Sequence, residues 1–185
     1  VQSLLHNDLK GVDSKTLHRV TAELSETGTA GIGDISGHVP TTMFEHHRDG
    51  PLQARLFLEH IGFSRHHHSQ LKWPSGLNPD HHDWLSAAGH ALYSTHPSTL
   101  QVIKTWCTQN GRPFSMHLAE HAGEMELLTT GRGPFAEMLK GSLLPPDFVP
   151  PGISPVAYAD QLGLLDEKTL TVHCVFLNKN DMQTL

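Results

Sequence analysis

The sequence predicts an α/β fold on a parallel sheet, and among such folds a (β/α)8 barrel rather than an open doubly wound sheet. Three observations carry this. Strand-like runs alternate with helical ones along the chain, the pattern of strands joined by crossover helices. GIGDISG, residues 31 to 37, spaces its glycines without the G-x-G-x-x-G order and opens no helix behind it, so the phosphate turn of a dinucleotide fold is missing. The apolar-flanked histidines stand in or at the ends of strand-like runs, where a barrel gathers its chemistry.

The elements follow in order. SKTLHRVTAELSETG, residues 14 to 28, has helical spacing, with Leu17, Val20 and Leu24 on one face and Gly28 as the stop. TAGIGDIS, residues 29 to 36, is a short β-like run; Asp34 near its end either approaches a site or caps a turn. QARLFLEHIGF, residues 53 to 63, is the next strand, set off by Asp49-Gly50-Pro51. Residues 64 to 80 hold His66, His67, His68, Pro74, Gly76 and Pro79 and read as one long loop, a feature that is often functional in a compact domain. Trp73 in that loop either stacks on a heterocycle or packs on an outer helix. AAGHALYS, residues 87 to 94, is the third strand, and Pro97 opens a helix that ends at Gly111. RPFSMHLAE, residues 112 to 120, is the fourth strand, followed by helical turns rich in Glu and Leu to about Lys140. A proline-rich loop leads to a short helix after Ser154. TLTVHCVFL, residues 169 to 177, is the fifth strand, and NKNDMQTL begins a further helix.

Composition bounds the function. The chain has 185 residues, 37% hydrophobic and 17% charged, a balance that fits one folded domain. No stretch reaches the roughly 18 consecutive apolar residues of a spanning helix, and the start lacks a signal-peptide pattern. With 13 Lys+Arg against 19 Asp+Glu, neither nucleic acid nor a membrane surface is an expected partner. Cys107 and Cys174 are too few for a disulfide framework, which points to a reducing cytoplasm. Cys174 reads as a buried, inert thiol on the strand face opposite His173. A homo-oligomer is compatible with all of this.

Histidine is out of proportion: 16 residues, more than Lys and Arg together. His46-His47, His81-His82 and the triple at 66 to 68 lie in polar, turn-rich surroundings and read as solvated loop residues. The chemistry-bearing set is His90, His117, Glu120 and His173. His117 in FSMHLAE and His173 in LTVHCVF have apolar flanks, so each ring faces the core or a site. Strand alternation puts His117 and Ala119 on one face and Glu120 at the turn. A histidine beside a carboxylate in a partly dry pocket suits metal-assisted hydrolysis, the ring holding the metal and the carboxylate moving protons. His90 in GHALYSTHP stands with Tyr93, Ser94 and Thr95, groups suited to a polar substrate.

HLAEHAGE (117 to 124), GHALYSTHP (89 to 97) and TVHCVFL (171 to 177) together resemble the amidohydrolase superfamily. The nearest branch is the cytosine deaminase and atrazine chlorohydrolase-like group, which includes guanine, S-adenosylhomocysteine and aminofutalosine deaminases. TAGIGDIS and SPVAYADQLGLLDEKTL match in the same order, so the resemblance runs from about residue 25 to the C-terminus. It implies that His117 ligates one divalent metal, zinc ahead of ferrous iron, and that Glu120 is the proton shuttle. His173 would orient the water, and His90 would contact the substrate. The implied reaction is hydrolysis of a C–N or C–Cl bond by metal-activated water. The substrate would be a small molecule: a purine, pyrimidine, triazine or related heterocycle, or an amidine. Its acid–base step gains from a carboxyl tuned upward.

The chain also departs from the family. The first-strand H-x-H pair is absent; His66 and His68 stand one apart, but in a loop. The eighth-strand aspartate is absent too. The resemblance therefore implies a partial TIM (β/α)8 barrel, roughly strands 2 to 6. On this reading residues 1 to 185 are a single incomplete barrel domain, an internal fragment inactive by itself. The alternative is a degenerate or truncated barrel that acts as a binding or scaffold protein, with a histidine-rich metal store third. His121, after the motif glutamate, reads as a solvent-facing neighbour.

Overall fold

The computed structural model describes residues 13–36, 52–63, 71, 73, 74 and 77–185. Helix α1 spans Ser14–Glu26, and the Asp13 carboxylate starts it by accepting from the Thr16 amide at 2.9 Å. Its inward face is Leu17, Thr21 and Leu24: Val20 is 39% exposed, while Thr21 is buried. Thr21 tolerates burial because its hydroxyl donates to the Leu17 carbonyl at 2.9 Å.

The sheet has strands β1 (Gly31–Ser36), β2 (Gln53–His60), β3 (Leu85–Gly89), β4 (Phe114–Leu118) and β5 (Thr169–His173). All neighbours pair in parallel, in the order β1-β2-β3-β4-β5. A doubly wound sheet reverses its strand order at a switch point; this one never does, and it curls into half a barrel with helices outside. The remaining helices are α2 (Pro97–Gln109), α3 (Ala122–Thr130), α4 (Pro134–Leu139), α5 (Pro155–Gln161) and α6 (Asp181–Thr184). Among the described residues no helix is long and apolar enough to cross a membrane.

Alternation along the strands splits the side chains between two faces. Ala87, Phe114, Met116 and Leu118 pack outward against Leu100, Ile103 and Cys107 of α2 and against Val156, Ala159 and Leu164. Gly89 permits this contact, since a Cβ there would lie 2.2 Å from Leu100 Cδ2. The opposite face carries the residues one step out of phase, which include Glu59 and His117.

The first strand ends at Ser36 as expected, but the other four stop short of the C-terminal ends that the sequence suggests. The third was expected over 87 to 94 but stops at Gly89, because Ser94 and Thr95 turn back to hydrogen-bond the Ala91 carbonyl. The fifth was expected to reach 177 but stops at His173, where His173 (φ 80°) and Cys174 (φ 50°) enter the left-handed region. The second stops at His60 and the fourth at Leu118. Most of the loop expected at 64 to 80 lies outside the described residues, as do His46, His47 and the triple at 66 to 68. Trp73 is described, and its ring lies 4.8 Å from that of Trp106 on α2, so it packs on an outer helix.

Candidate active site

The C-terminal ends of β2 to β5 converge on one cluster. The ladder continues one step past the strands: the His90 amide donates to the His60 carbonyl at 3.0 Å, and the His117 amide to the His90 carbonyl at 2.8 Å. These bonds set His90 and His117 side by side, with ring centroids 5.0 Å apart. The His173 ring lies 5.2 Å from that of His117 on the other side. All four residues singled out from the sequence meet here, because Glu120 follows at the turn after β4.

His173 reaches the cluster by breaking strand alternation. Its Cα partner is Leu118, which packs outward with the helices, so regular extended backbone would aim His173 outward as well. The left-handed φ of 80° redirects the ring. Ala119 (φ 52°) and Cys174 (φ 50°) share the strain, which costs on the order of 1–3 kcal/mol per residue and collects at functional sites. Surrounding hydrogen bonds hold it: Cys174 donates to the Leu118 carbonyl at 2.9 Å and Val175 to the Ala119 carbonyl at 3.0 Å.

Each ring has a defined polarity. Ser94 Oγ donates to the Ala91 carbonyl at 3.2 Å, so in the 2.6 Å contact between His90 Nδ1 and Ser94 Oγ the ring is the donor. That leaves the His90 Nε2 lone pair for the site. Burial lowers the His90 pKa, with His117 acting the same way and Glu59 and Glu120 opposing, which keeps the ring neutral. His117 Nε2 stands 3.2 Å from Glu59 Oε1, and His117 Nδ1 is buried without a protein partner.

Glu120 is held from three directions. Tyr93 Oη donates to its Oε2 across a long 3.4 Å, and His173 Nε2 stands 3.6 Å from its Oε1. Its own amide donates to Glu124 Oε2 at 2.8 Å. Burial, then the Glu120 charge, push the Tyr93 phenol pKa upward. Glu124 is fully buried, its Oε1 has no partner, and burial pushes its carboxyl up to about 7.

Among the described residues, Glu59, His90 and His117 bring one ligand atom each within 4.8 Å of one another, a spacing that could hold a metal ion. Imidazole and carboxylate together suit zinc and ferrous iron alike.

Several details differ from the sequence reading. Ser94 and Thr95 do not face a substrate; both are buried, Ser94 bonded within its turn and Thr95 Oγ1 donating to the His60 carbonyl at 3.3 Å. His121 is half-buried, accepts from the Glu124 amide at 3.0 Å to cap α3, and meets the Phe135 ring at 4.2 Å. Asp34 lies inside β1, opposite Leu56. Cys174 is half-buried and packs on the helix-side core, away from the site, because the left-handed backbone at His173 and Cys174 reverses the regular alternation. Glu59 and Glu124 escaped the sequence reading. Glu59 had a signal, an acid closing the apolar strand LFLE in phase with Phe57; Glu124 had one too, three residues after a capping histidine.

No protein-family model matches the chain. The aminodeoxyfutalosine deaminase of Deinococcus radiodurans is 27% identical over 105 residues, which are 53% of this chain and 25% of that protein. Among solved structures, Helicobacter pylori aminofutalosine deaminase in complex with methylthio-coformycin superposes with TM-score 0.72 at 20% identity. The match covers 99% of this chain and 46% of that one. A Xanthomonas campestris adenosine deaminase with bound zinc superposes with TM-score 0.60 at 16% identity, covering 94% of this chain and 38% of the other. The chain thus spans about a quarter of the curated relative and under half of each solved barrel. These matches bear out both the resemblance to amidohydrolase-type deaminases and the partial (β/α)8 barrel, and the limited coverage fits a segment of a longer protein.

Proposed function

We propose that this chain supplies part of the active site of a metal-dependent amidohydrolase that deaminates a purine-like heterocycle, releasing ammonia. The observation that carries the reading is the row of His90, His117 and His173 with Glu120 across adjacent strand ends. The similarity to a deaminase favours nitrogen over chlorine as the leaving atom.

The residues fit a metal. His117 Nδ1 is a buried nitrogen without a protein partner, and a lone pair in that position accepts a cation. His117 would hold the metal together with groups outside the described residues, zinc being our choice over ferrous iron. When bound, such an ion lowers the pKa of water toward neutrality and so supplies a nucleophile. Glu120 takes one proton at Oε1 or Oε2 as water adds to the ring carbon and gives it to the ring nitrogen, then takes the second from the new hydroxyl and gives it to the departing amine. His173, 3.6 Å from Glu120 Oε1, steadies the carboxylate and the water. The His90 Nε2 lone pair accepts from a substrate N–H. Free thiols at Cys107 and Cys174 fit a reducing cytoplasm.

The test uses the protein in its full length. His117→Ala is expected to lose the metal. Glu120→Gln is expected to retain it and to lose turnover by about 10²–10⁴-fold, followed as ammonia release from aminated purines and their nucleosides. An active Glu120→Gln variant would overturn the assignment of the proton shuttle. A parent protein that binds no zinc or iron and releases no ammonia would overturn the reading as a whole.

A further inference from the structure

We infer that Glu59 is a positioning residue: it takes the Nε2 proton of His117 in a hydrogen bond and so presents the Nδ1 lone pair to the metal. The inference rests on the metal-dependent reading above and adds a residue and a ligand atom to it.

The geometry runs across three strands. Glu59 is the last residue but one of β2 and His117 the last but one of β4, 58 residues apart in sequence, with β3 between them. Glu59 pairs with Ala88 on β3, and so small a side chain leaves the lane above it open for the carboxylate to reach His117. Contact occurs between Glu59 Oε1 and His117 Nε2 at 3.2 Å, with side chains only 18% and 19% exposed. In so dry a position a hydrogen bond to a carboxylate is stronger than in water.

The other ring nitrogen decides the direction. A neutral imidazole carries one N–H and one lone pair. Were the proton on Nδ1, a buried N–H would lack an acceptor, since Nδ1 has no protein partner, and Nε2 would turn its lone pair toward the carboxylate's own. Both faults disappear when the proton sits on Nε2: the carboxylate receives a donor, and Nδ1 becomes a bare lone pair. A carboxylate on the far nitrogen is a common way to orient a metal-binding histidine and raise its basicity. The same three residues, Glu59, His90 and His117, also have a spacing that could hold an ion directly. Ligation through Nε2 would leave an unpaired buried N–H at Nδ1.

The experiment compares the full-length protein with Glu59→Gln and Glu59→Leu. The metal-free proteins are labelled with ¹⁵N at histidine, and the His117 signal is identified by its loss in His117→Gln. Two-bond ¹H–¹⁵N spectra then report which nitrogen carries the proton, and zinc affinity is measured by competition with a chromophoric chelator. The expected result is an Nε2–H tautomer in the parent and in Glu59→Gln, whose amide oxygen can still accept. Glu59→Leu loses that preference and binds zinc about 10–100-fold more weakly, with Glu59→Gln closer to the parent. The inference is overturned if Glu59→Leu keeps both tautomer and affinity. It is overturned as well if Glu59→Gln loses as much zinc affinity as Glu59→Leu, because the carboxylate would then be a ligand itself. A parent without zinc affinity defeats the metal-dependent function, while the metal-free spectra still decide the Glu59–His117 pair.

Discussion

Glu124 is fully buried below the turn that carries Glu120, and burial pushes its carboxyl up to about 7 from an ordinary 4.5. Its Oε2 accepts from the Glu120 amide at 2.8 Å, so it holds in place the residue assigned to proton transfer. Between those two pH values the folded state keeps a proton that the unfolded state has lost. Stability therefore falls as pH rises through this window and levels off above it. At about 1.4 kcal/mol per unit, the loss is on the order of 3 kcal/mol. Glu124→Gln keeps an acceptor oxygen for the Glu120 amide and removes the titration. Denaturant unfolding of the full-length protein at about pH 5 and about pH 8 is expected to show the parent losing ground to the variant at the higher pH. Parallel profiles would mean that the carboxyl is not desolvated in solution. Little of this was legible beforehand. HLAEHAGE showed its spacing, but the sequence reading sought the raised carboxyl at Glu120, and only the fold shows which acid the α3 turn encloses.

At the scale of elements, the helices and the number of strands could be read from capping residues and periodicity. Ser154 accepts the amide bond expected of an N-cap, and Pro97 opens α2. The strand ends could not be read, because apolar runs such as TVHCVFL continue past the point where the backbone turns. What stops β5 is left-handed backbone at His173 and Cys174, and neither residue type announces that conformation. The contact between β3 and α2 is a sharper case. Gly89 is buried, and a Cβ there would lie 2.2 Å from Leu100 Cδ2 and 3.6 Å from Ile103 Cδ1. Gly89→Ala must therefore displace Leu100 within a packed core, which costs about 1–3 kcal/mol. The strand end that carries His90 lies next to it. Urea unfolding is expected to show the loss, with a further gain in KM if His90 moves. A variant as stable as the parent would mean that Leu100 has a second rotamer free to accept the methyl group.

For the whole molecule, the half-barrel explains what separate motifs could not. Four residues chosen for strand position do meet, because a parallel sheet in simple order places all strand ends on one rim. Glu59 joins them only through the curl, which lets a β2 side chain touch a β4 side chain across β3. The same geometry leaves two open edges among the described residues. β1 pairs only with β2, and β5 only with β4. Near the β5 edge, Leu170 is 51% exposed, Val175 65% and Phe176 42%. An unpaired edge with apolar side chains is a template for another strand. The 185-residue chain, of 20.4 kDa, is therefore expected to self-associate when it is made by itself. Sedimentation velocity should resolve species heavier than one chain whose share grows with concentration. Leu170→Lys, which places a charge on that edge, should shift the population back toward single chains, since edge lysines oppose strand addition. If the parent sediments as a single chain at every concentration, the exposed β5 edge is not a pairing surface. If it associates and Leu170→Lys does so equally, association runs through another surface, and the β1 edge is the next to charge.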